Sequence, residues 1–281
     1  MNQAKVLNFF GLLLIMFGMS FAIPLFVAIF YGESLIRVFG LGMSILVLMG
    51  FLSWFFTKDN KQELSLSDGF VITVLFWIVL SVSGSIPFIL FGFGFVDSFF
   101  ESMSGITTTG ATVIAGLDDL PKSLLIYRQL LQWLGGMGLI VLAIAVMPLL
   151  GIGGGQLFKT QTPGPMSEQR LTPRITSTAR ALWSIYFVLT VLCIFAYRLA
   201  GMNYFDAVSH AFSTVSIGGF STHDLSIGFF DSLSIEIVCI TFMLLSAMSF
   251  AVHYSAIYRK QVLKYFYDPE LRFFVSLLIV I

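Results

Sequence analysis

Two short stretches are the most informative parts of this 281-residue chain: SGITTTGATV at 104–113 and AFSTVSIGGFSTHD at 211–224. Each follows a mildly apolar stretch of about ten residues, Asp97–Ile106 in the first case and Asp206–Val215 in the second. Ten helical residues extend about 15 Å, which is half of the hydrocarbon core of a membrane. We therefore predict a half-helix followed by irregular backbone in each place, which is the form of a re-entrant loop. Irregular backbone at membrane depth must line a cavity or be buried in protein.

The composition around these stretches is that of a membrane protein. Hydrophobic residues make up 57% of the chain, charged residues make up 11%, and the mean hydropathy is +0.94. A soluble fold of this length could not bury so much apolar surface, which excludes a soluble enzyme. The 15 basic residues balance the 15 acidic residues, which argues against nucleic-acid binding. Cys193 and Cys239 lie in apolar runs and form no CxxC motif, which excludes a disulfide scaffold.

Several apolar runs have the roughly 20 residues that a helix needs to cross a bilayer. A further run begins near Leu271 and reaches Ile281 after about half a span, so we expect the chain to be the front part of a longer protein. The predicted spans are Val6–Phe30, Leu35–Phe56, Phe70–Phe91, Gln129–Leu150, Ala181–Ala200 and Ile235–Tyr258.

The distribution of lysine and arginine predicts a cytoplasmic N-terminus. With that orientation, most of the 15 basic residues fall on the cytoplasmic side, and Arg170, Arg174 and Arg180 are among them. Most acidic residues fall on the outer side, where they would attract cations. We therefore expect a multi-pass protein of the cytoplasmic membrane.

The two loops match each other when the chain is shifted by 109 residues without a gap. Asp97 then falls on Asp206, and Gly110 falls on Gly219. The flanking spans align as well, so the chain holds two copies of one unit. The predicted segments are a leading transmembrane helix pair (1–68), a first span–pore loop–span repeat (69–150), a cytoplasmic connector (151–174), a second repeat (175–260) and the incomplete start of a third repeat (261–281).

Glycine among hydroxyl residues is the pattern that a cation filter needs. A dehydrated potassium ion requires a shell of oxygens, and backbone carbonyls supply it when several of them point the same way. Glycine adopts the necessary dihedral angles at little steric cost, which favours Gly110 and the pair Gly218 and Gly219 as filter residues. A half-helix also directs the negative end of its dipole at the ion. Two copies supply only half of a fourfold ring.

The two quoted stretches resemble the first and second pore loops of the Trk-type potassium uptake membrane subunits, the TrkH family of the TrkH/KtrB superfamily. This resemblance covers essentially the whole chain. It implies an all-α polytopic membrane protein with two leading helices and four span–re-entrant pore loop–span repeats. The chain would contain two of these potassium-channel-like repeats and be truncated before the third and fourth. The leading pair favours TrkH over the shorter KtrB relatives.

The resemblance also implies a site and partners. Main-chain oxygens of the filter would face a potassium ion, the transported substrate, which Thr108, Thr109, Ile217 and Gly218 would bind. No cofactor is expected. A homodimer in the bacterial inner membrane and a cytoplasmic nucleotide-binding regulator, TrkA, are implied as well. The filter residues in this sequence are Thr108, Thr109, Gly110, Ala111, Ile217, Gly218, Gly219 and Phe220.

Other polar residues are given local roles. We predict that Asp97 and Asp206 cap the two half-helices, that Arg128 anchors a span at the membrane interface, and that Asp224 and Asp231 are solvated. No charge is placed deep in a span, which argues against a proton-relay carrier. The scattered histidines have no ligands at metal-site spacing. These histidines are His210, His223 and His253.

The leading hypothesis is therefore potassium uptake through a pore with a backbone-carbonyl filter. A sodium-permeable or sodium-coupled, KtrB-like relative is one alternative, and a non-conducting truncated fragment is another. A membrane enzyme is disfavoured, because the sequence shows no Ser-His-Asp, metal or paired-carboxylate arrangement. The expected partners are potassium ions, the lipid bilayer and the regulator, and nucleic acid is not among them.

Overall fold

The computed structural model describes residues 3–58, 66–146 and 175–280. Within these ranges the regular structure is helical and no strand occurs, which confirms the all-α prediction. Two short 3-10 helices, Leu117–Asp119 and Ser226–Phe230, lie in the loops. The α-helices are α1 (Gln3–Ser20), α2 (Ala22–Tyr31), α3 (Ile36–Thr57), α4 (Leu66–Phe91), α5 (Phe95–Ile106), α6 (Lys122–Val146), α7 (Ile175–Leu199), α8 (Tyr204–Val215), α9 (Leu233–Ala247), α10 (Phe250–Tyr258), α11 (Lys264–Tyr267) and α12 (Pro269–Val280).

The described residues contain four helical segments that are long and apolar enough to cross a membrane. These segments coincide with the first, second, third and fifth predicted spans. A fifth is added if the bent pair α9 and α10 counts as one span. The four segments are Gln3–Tyr31, Ile36–Thr57, Asp68–Phe91 and Arg180–Leu199.

Two predicted spans differ from the structure. The predicted span Ile235–Tyr258 is bent rather than straight, because α9 and α10 meet at an angle of 93°. Extended backbone at Met248 and Ser249 ends the helical hydrogen bonding, and uniform apolarity in the sequence does not report such a break. The predicted span Gln129–Leu150 corresponds to α6, which begins seven residues earlier, at Lys122. The final residues of that prediction, 147–150, and the predicted connector 151–174 lie outside the described residues.

The leading helices pack closely because glycine lines their contact. α3 runs along α1, and a Cβ placed on Gly11 would lie 2.7 Å from the amide nitrogen of Trp54. A Cβ on Gly50 would lie 2.6 Å from the carbonyl oxygen of Gly11. Small residues of this kind let helix backbones approach in a membrane, where helix association depends on packing. Gly32 ends α2 in the left-handed conformation, with φ of 67°.

Helix α6 lies at the centre of the molecule. It packs against α2, α4 and α5 on one side and against α7 and α8 on the other. Tyr127 of α6 is fully buried between the rings of Phe21, Phe39 and Phe88, at centroid distances of 5.2–5.4 Å. Its hydroxyl donates to the carbonyl of Gly84 on α4, at 2.7 Å. The next turn of α6 carries buried polar residues toward the two loops.

Candidate functional site

Two 12-residue helices, α5 and α8, begin the site. The prediction that Asp97 and Asp206 cap them is wrong, since both aspartates occupy the third helical position. The cap residues are Gly94 and Asn203, each with extended backbone. The Asn203 side chain accepts a hydrogen bond from the Asp206 amide at 2.9 Å, which is the usual work of an asparagine cap. Asp97 and Asp206 still lie in first turns, where the helix dipole favours negative charge.

Both helices end through the same hydrogen bonds. The Thr109 amide donates to the Ser104 carbonyl at 2.9 Å, and the Gly218 amide donates to the Ser213 carbonyl at 2.8 Å. These donors and acceptors correspond under the 109-residue shift. The preceding amide in each loop also donates to matching carbonyls, at 3.0 and 3.1 Å. The backbone of the two loops therefore repeats in detail, although few side chains are shared.

Left-handed backbone recurs at matching positions in the two loops. Thr108 has φ of 54° and Ile217 has φ of 55°, while Gly110 and Gly219 have φ of 77° and 86°. For a β-branched residue a positive φ is a genuine outlier that costs about 1–3 kcal/mol. Each loop thus places left-handed residues two positions apart, with one other residue between them. Strained backbone of this kind clusters at ligand-binding and active sites.

The two loops touch each other at their glycines. A Cβ on Gly110 would clash with the carbonyl oxygen of Gly218. A Cβ on Gly218 would clash with the side-chain amide of Gln132 on α6. Gly219 has open space on that side, so only its positive φ selects for glycine there. Glycine is thus required at Gly218 by close approach, at Gly219 by its positive φ, and at Gly110 by both.

The structure brings all eight predicted filter residues into these two touching loops. Thr109, Ala111, Ile217 and Gly219 are exposed, so the loops share an accessible edge. Two of the eight are half-buried and two are buried. The half-buried pair is Thr108 and Gly110, and the buried pair is Gly218 and Phe220.

Gln132 on α6 supports the second loop from behind. Its Oε1 accepts from the Ser213 hydroxyl at 2.7 Å and from the Phe220 amide at 3.1 Å. The residue is fully buried, and its Nε2 has no hydrogen-bond partner among the described residues. This role could not be predicted from the sequence, because a glutamine in an apolar helix has no characteristic spacing to a loop far along the chain.

Arg128 is not the interfacial anchor that we predicted. It lies roughly 9 Å into α6, its side chain is fully buried, and it forms an ion pair of 2.7 Å with the equally buried Glu101 of α5. Its Nη2 donates to the Thr112 hydroxyl at 3.0 Å, and its Nη1 donates to the Ser221 carbonyl at 3.1 Å. The two charges are thus buried in the protein, in α6 and α5, and neither lies in one of the four long apolar segments. Because the partner Glu101 lies in a different helix, spacing along one helix could not reveal the pair.

A matched hydrogen bond ties the chain after each loop to the half-helix before it. The Thr112 hydroxyl donates to Glu101 at 2.9 Å. At the corresponding positions, the Ser221 hydroxyl pairs with His210 Nε2 at 2.9 Å. His210 therefore takes the place of Glu101 on the buried face of its half-helix, as the repeat alignment placed it.

The outer ends of the two loops are joined by carboxylates. Asp224 is not simply solvated as predicted, because it accepts from the amides of Gly116 and Leu117, each at 3.1 Å. His223 pairs with Asp118 across the same contact. The hydrogen bond with His223 lowers the pKa of the Asp118 carboxyl. Asp231 is exposed, in agreement with its prediction.

No metal cluster of the usual side-chain type was found in the part of the chain that the structure describes. Within it, no three His, Cys, Asp or Glu side chains are placed to hold a metal ion. A potassium ion at the loops would have to be bound by main-chain and hydroxyl oxygens, which are the ligands that a hard monovalent cation accepts.

Long apolar helices, together with two matching helix–loop segments on a buried polar support, define a multi-pass membrane protein. The family described as TrkH, cation transport protein, matches residues 35–281. The chain belongs to this family, which is a family of transporters, and it is a multi-pass membrane protein of that family.

Named relatives agree with this assignment. The chain is 49% identical over 281 residues to the Trk system potassium uptake protein TrkH of Halomonas elongata, with 99% of the chain and 58% of that protein covered. It is 44% identical to TrkH of Escherichia coli K12, with 98% and 58% covered. The crystal structure of the potassium transporter TrkH from Vibrio parahaemolyticus superimposes with a TM-score of 0.86 at 45% identity, covering 100% of this chain and 57% of that one. The chain thus spans a little over half the length of these relatives.

Proposed function

We propose that the chain serves potassium uptake across the bacterial cytoplasmic membrane, as part of the membrane subunit of a Trk-type system. In this proposal α5 and α8 enter the membrane from the outer side as re-entrant half-helices. The loops after them supply two quarters of a selectivity filter. Named relatives are potassium uptake proteins, which supports the substrate, and their greater length leaves room for the remaining quarters.

The matched left-handed residues are the observation that carries the proposal. Thr108 and Gly110 in one loop, and Ile217 and Gly219 in the other, have positive φ with one residue between them. Alternating handedness along a chain turns successive carbonyls toward one side, and such a row of oxygens can replace the water shell of K⁺. The exposed edge that the loops share would be the wall of the pore. The ends of α5 and α8 point their negative dipoles toward this edge, which favours a cation.

The remaining parts of the proposal follow the family. The N-terminus lies in the cytoplasm, the protein assembles as a homodimer, and a cytoplasmic nucleotide-binding regulator of the TrkA type controls it. The ion moves through the main-chain oxygens without a cofactor. The alternatives are a sodium-permeable or sodium-coupled, KtrB-like relative and a non-conducting truncated fragment.

Rubidium and sodium flux into liposomes tests the proposal, with the Gly110→Ser and Gly219→Ser variants beside the parent chain. Gly40→Ser is a matched control, because a Cβ at Gly40 meets nothing within 4 Å. We expect rubidium flux in the parent and the control and loss of flux or of selectivity in the two loop variants. Thermal unfolding in K⁺ against Na⁺ measures ion binding independently of conduction.

Each outcome separates one alternative from another. Equal rubidium and sodium flux in the parent would favour the sodium-permeable pore. Stabilisation by K⁺ without flux would favour a binding chain that needs further subunits. Absence of both flux and K⁺-specific stabilisation would overturn the proposal.

A further inference from the structure

A buried ion pair lies directly behind the two loops. Glu101 of α5 and Arg128 of α6 both have fully buried side chains. Nε and Nη2 of Arg128 each lie 2.7 Å from Glu101 Oε1. Removing two charges from water is expensive, and a buried pair on average adds little net stability over an apolar pair of the same size. A buried pair of this kind is therefore better explained by its contacts than by its contribution to stability.

The pair touches both loops. Glu101 accepts from the Thr112 hydroxyl at 2.9 Å and from the Val113 amide at 3.2 Å, which fixes the first loop. Arg128 donates to the Ser221 carbonyl at 3.1 Å, and its guanidinium lies 4.4 Å from the centre of the Phe220 ring, which fixes the second. The same guanidinium also donates to Thr112. One side chain thus connects segments that are about a hundred residues apart in sequence.

The second repeat has no equivalent of this pair. The 109-residue shift places His210 opposite Glu101 and Ile237 opposite Arg128, and Ile237 is 54% exposed. The charged contact that reaches both loops from behind therefore comes from the first repeat, while Asp224 and His223 of the second repeat contact the first loop only at its outer end. The matching backbone hydrogen bonds that end α5 and α8 form in both repeats, so they do not require the Glu101–Arg128 pair, which occurs only in the first repeat.

We propose that the Glu101–Arg128 pair is a positioning element that sets the distance between the two loops and thereby the ion selectivity of the filter. The proposal rests on the proposed potassium function of the same loops. A selective filter needs carbonyl oxygens at defined separations, and the clash-limited contact between Gly110 and Gly218 shows how little room the loops have. If one loop moves relative to the other, the carbonyl oxygens of the two loops can no longer all lie at the right distance from one bound ion.

Neutralising each partner separately distinguishes positioning from simple electrostatics. Glu101→Gln leaves an uncompensated positive charge behind the filter, and Arg128→Gln leaves a negative one. If the pair acts only through its charge, the two variants should change cation flux in opposite directions and leave the rubidium-to-sodium ratio alone. If it positions the loops, both variants should lower that ratio, by roughly tenfold or more, because breaking a buried pair strands the other charge.

Arg128→Lys and Arg37→Gln complete the set of variants. Lysine keeps the charge but not the planar fork that reaches Glu101, Thr112 and Ser221 together, so we expect an intermediate ratio. Arg37 is an exposed arginine on α3, and its neutralisation should leave the ratio unchanged. An intermediate lysine variant is a result that general loss of stability would not produce.

Hydrogen–deuterium exchange of the purified chain tests whether the Glu101–Arg128 pair holds both loops, and it does not depend on ion flux. Arg128→Gln should accelerate exchange by about tenfold in both 107–116 and 216–224, while α1 and α3 keep their protection. Acceleration confined to 107–116, or flux changes of opposite sign with a constant ratio, would overturn the proposal. If the parent neither conducts rubidium nor is stabilised by K⁺, the proposed potassium function fails, and the exchange data still decide whether the Glu101–Arg128 pair holds both loops. If Arg128→Gln fails to fold, the same comparison is made with Arg128→Lys.

Discussion

At the scale of single residues, glycine is required at Gly110 and Gly219 for different physical reasons. Alanine at Gly219 suffers only from its positive φ of 86°, which costs about 1–2 kcal/mol. Alanine at Gly110 has positive φ and also clashes with the carbonyl of Gly218. We expect Gly110→Ala to lower the free energy of unfolding by more than Gly219→Ala does. Chemical denaturation in detergent measures both, with Gly40→Ala as the control. Equal losses would mean that the two loops do not touch.

Gln132 leads to a second prediction at this scale. Gln132→Leu removes the acceptor for the Phe220 amide and the Ser213 hydroxyl and leaves both of these buried groups unpaired. Such a loss costs about 1–3 kcal/mol for each stranded group. We expect a lower unfolding free energy and faster amide exchange at Phe220. Gln261→Leu, at an exposed position, should have neither effect. Unchanged exchange at Phe220 in the Gln132 variant would contradict the assigned contact.

At the scale of elements, the outer contact between the loops depends on ionised Asp118. Its pKa is lowered by the hydrogen bond with His223, so its contribution is fully present above the ordinary aspartate pKa of about 3.9 and is lost as the pH falls through the lowered value. Two further groups lie at this contact: the Asp224 amide donates to Asp118 at 3.5 Å, and the Asp206 carboxylate lies 3.4 Å from His223 Nε2. We expect the protection of the 114–120 amides, taken relative to their intrinsic exchange at each pH, to fall in acid, and Asp118→Asn to show this lower protection already at neutral pH. Asp231→Asn is the exposed control. An unaltered acid profile in Asp118→Asn would exclude this contact as the cause.

The half-helices could be predicted from the sequence, whereas the break between α9 and α10 could not. The half-helices were predicted within two residues at their starts and correctly at their ends, because the chain changes there from apolar residues to glycine and hydroxyl residues. The break between α9 and α10 was missed. No proline or glycine marks it, and its support comes from His253, which pairs with the Leu245 carbonyl at 2.8 Å and the Tyr265 hydroxyl at 2.7 Å. A contact of this kind depends on the fold rather than on local pattern.

At the scale of the whole molecule, α6 carries the contacts that the sequence did not reveal. Arg128 and Gln132 support the loops, and Tyr127 fills the aromatic core. The sequence analysis placed Arg128 at the start of a span and Gln132 within it, but it assigned no partner to either residue, because hydropathy reports the burial of a segment and not the contacts of its side chains. The repeat and its glycines were accessible to sequence analysis, since they recur at a fixed shift. The Glu101–Arg128 pair behind them was not accessible, since it occurs once.

The leading helices are joined to α6 through Glu33, and this joint yields the last prediction. Glu33 follows α2 and accepts from the amides of Lys122 at 2.7 Å and Ser123 at 3.1 Å, so it caps α6 from a distant part of the chain. Glu33→Ala should lower the free energy of unfolding by about 1–2 kcal/mol, because it uncovers two helix-terminal amides and removes a charge from the positive end of the helix dipole. Glu236→Ala is a matched control, since Glu236 is exposed in the first turn of its own helix, α9.

Hydrogen exchange in α2 and in the first turn of α6 shows whether Glu33 only caps α6 or also holds the leading helices against it. If Glu33 joins the two parts, its loss should raise exchange in α6 and in α2 together. A rise in α6 alone would mean that the leading pair is held by apolar packing and that Glu33 is only a cap.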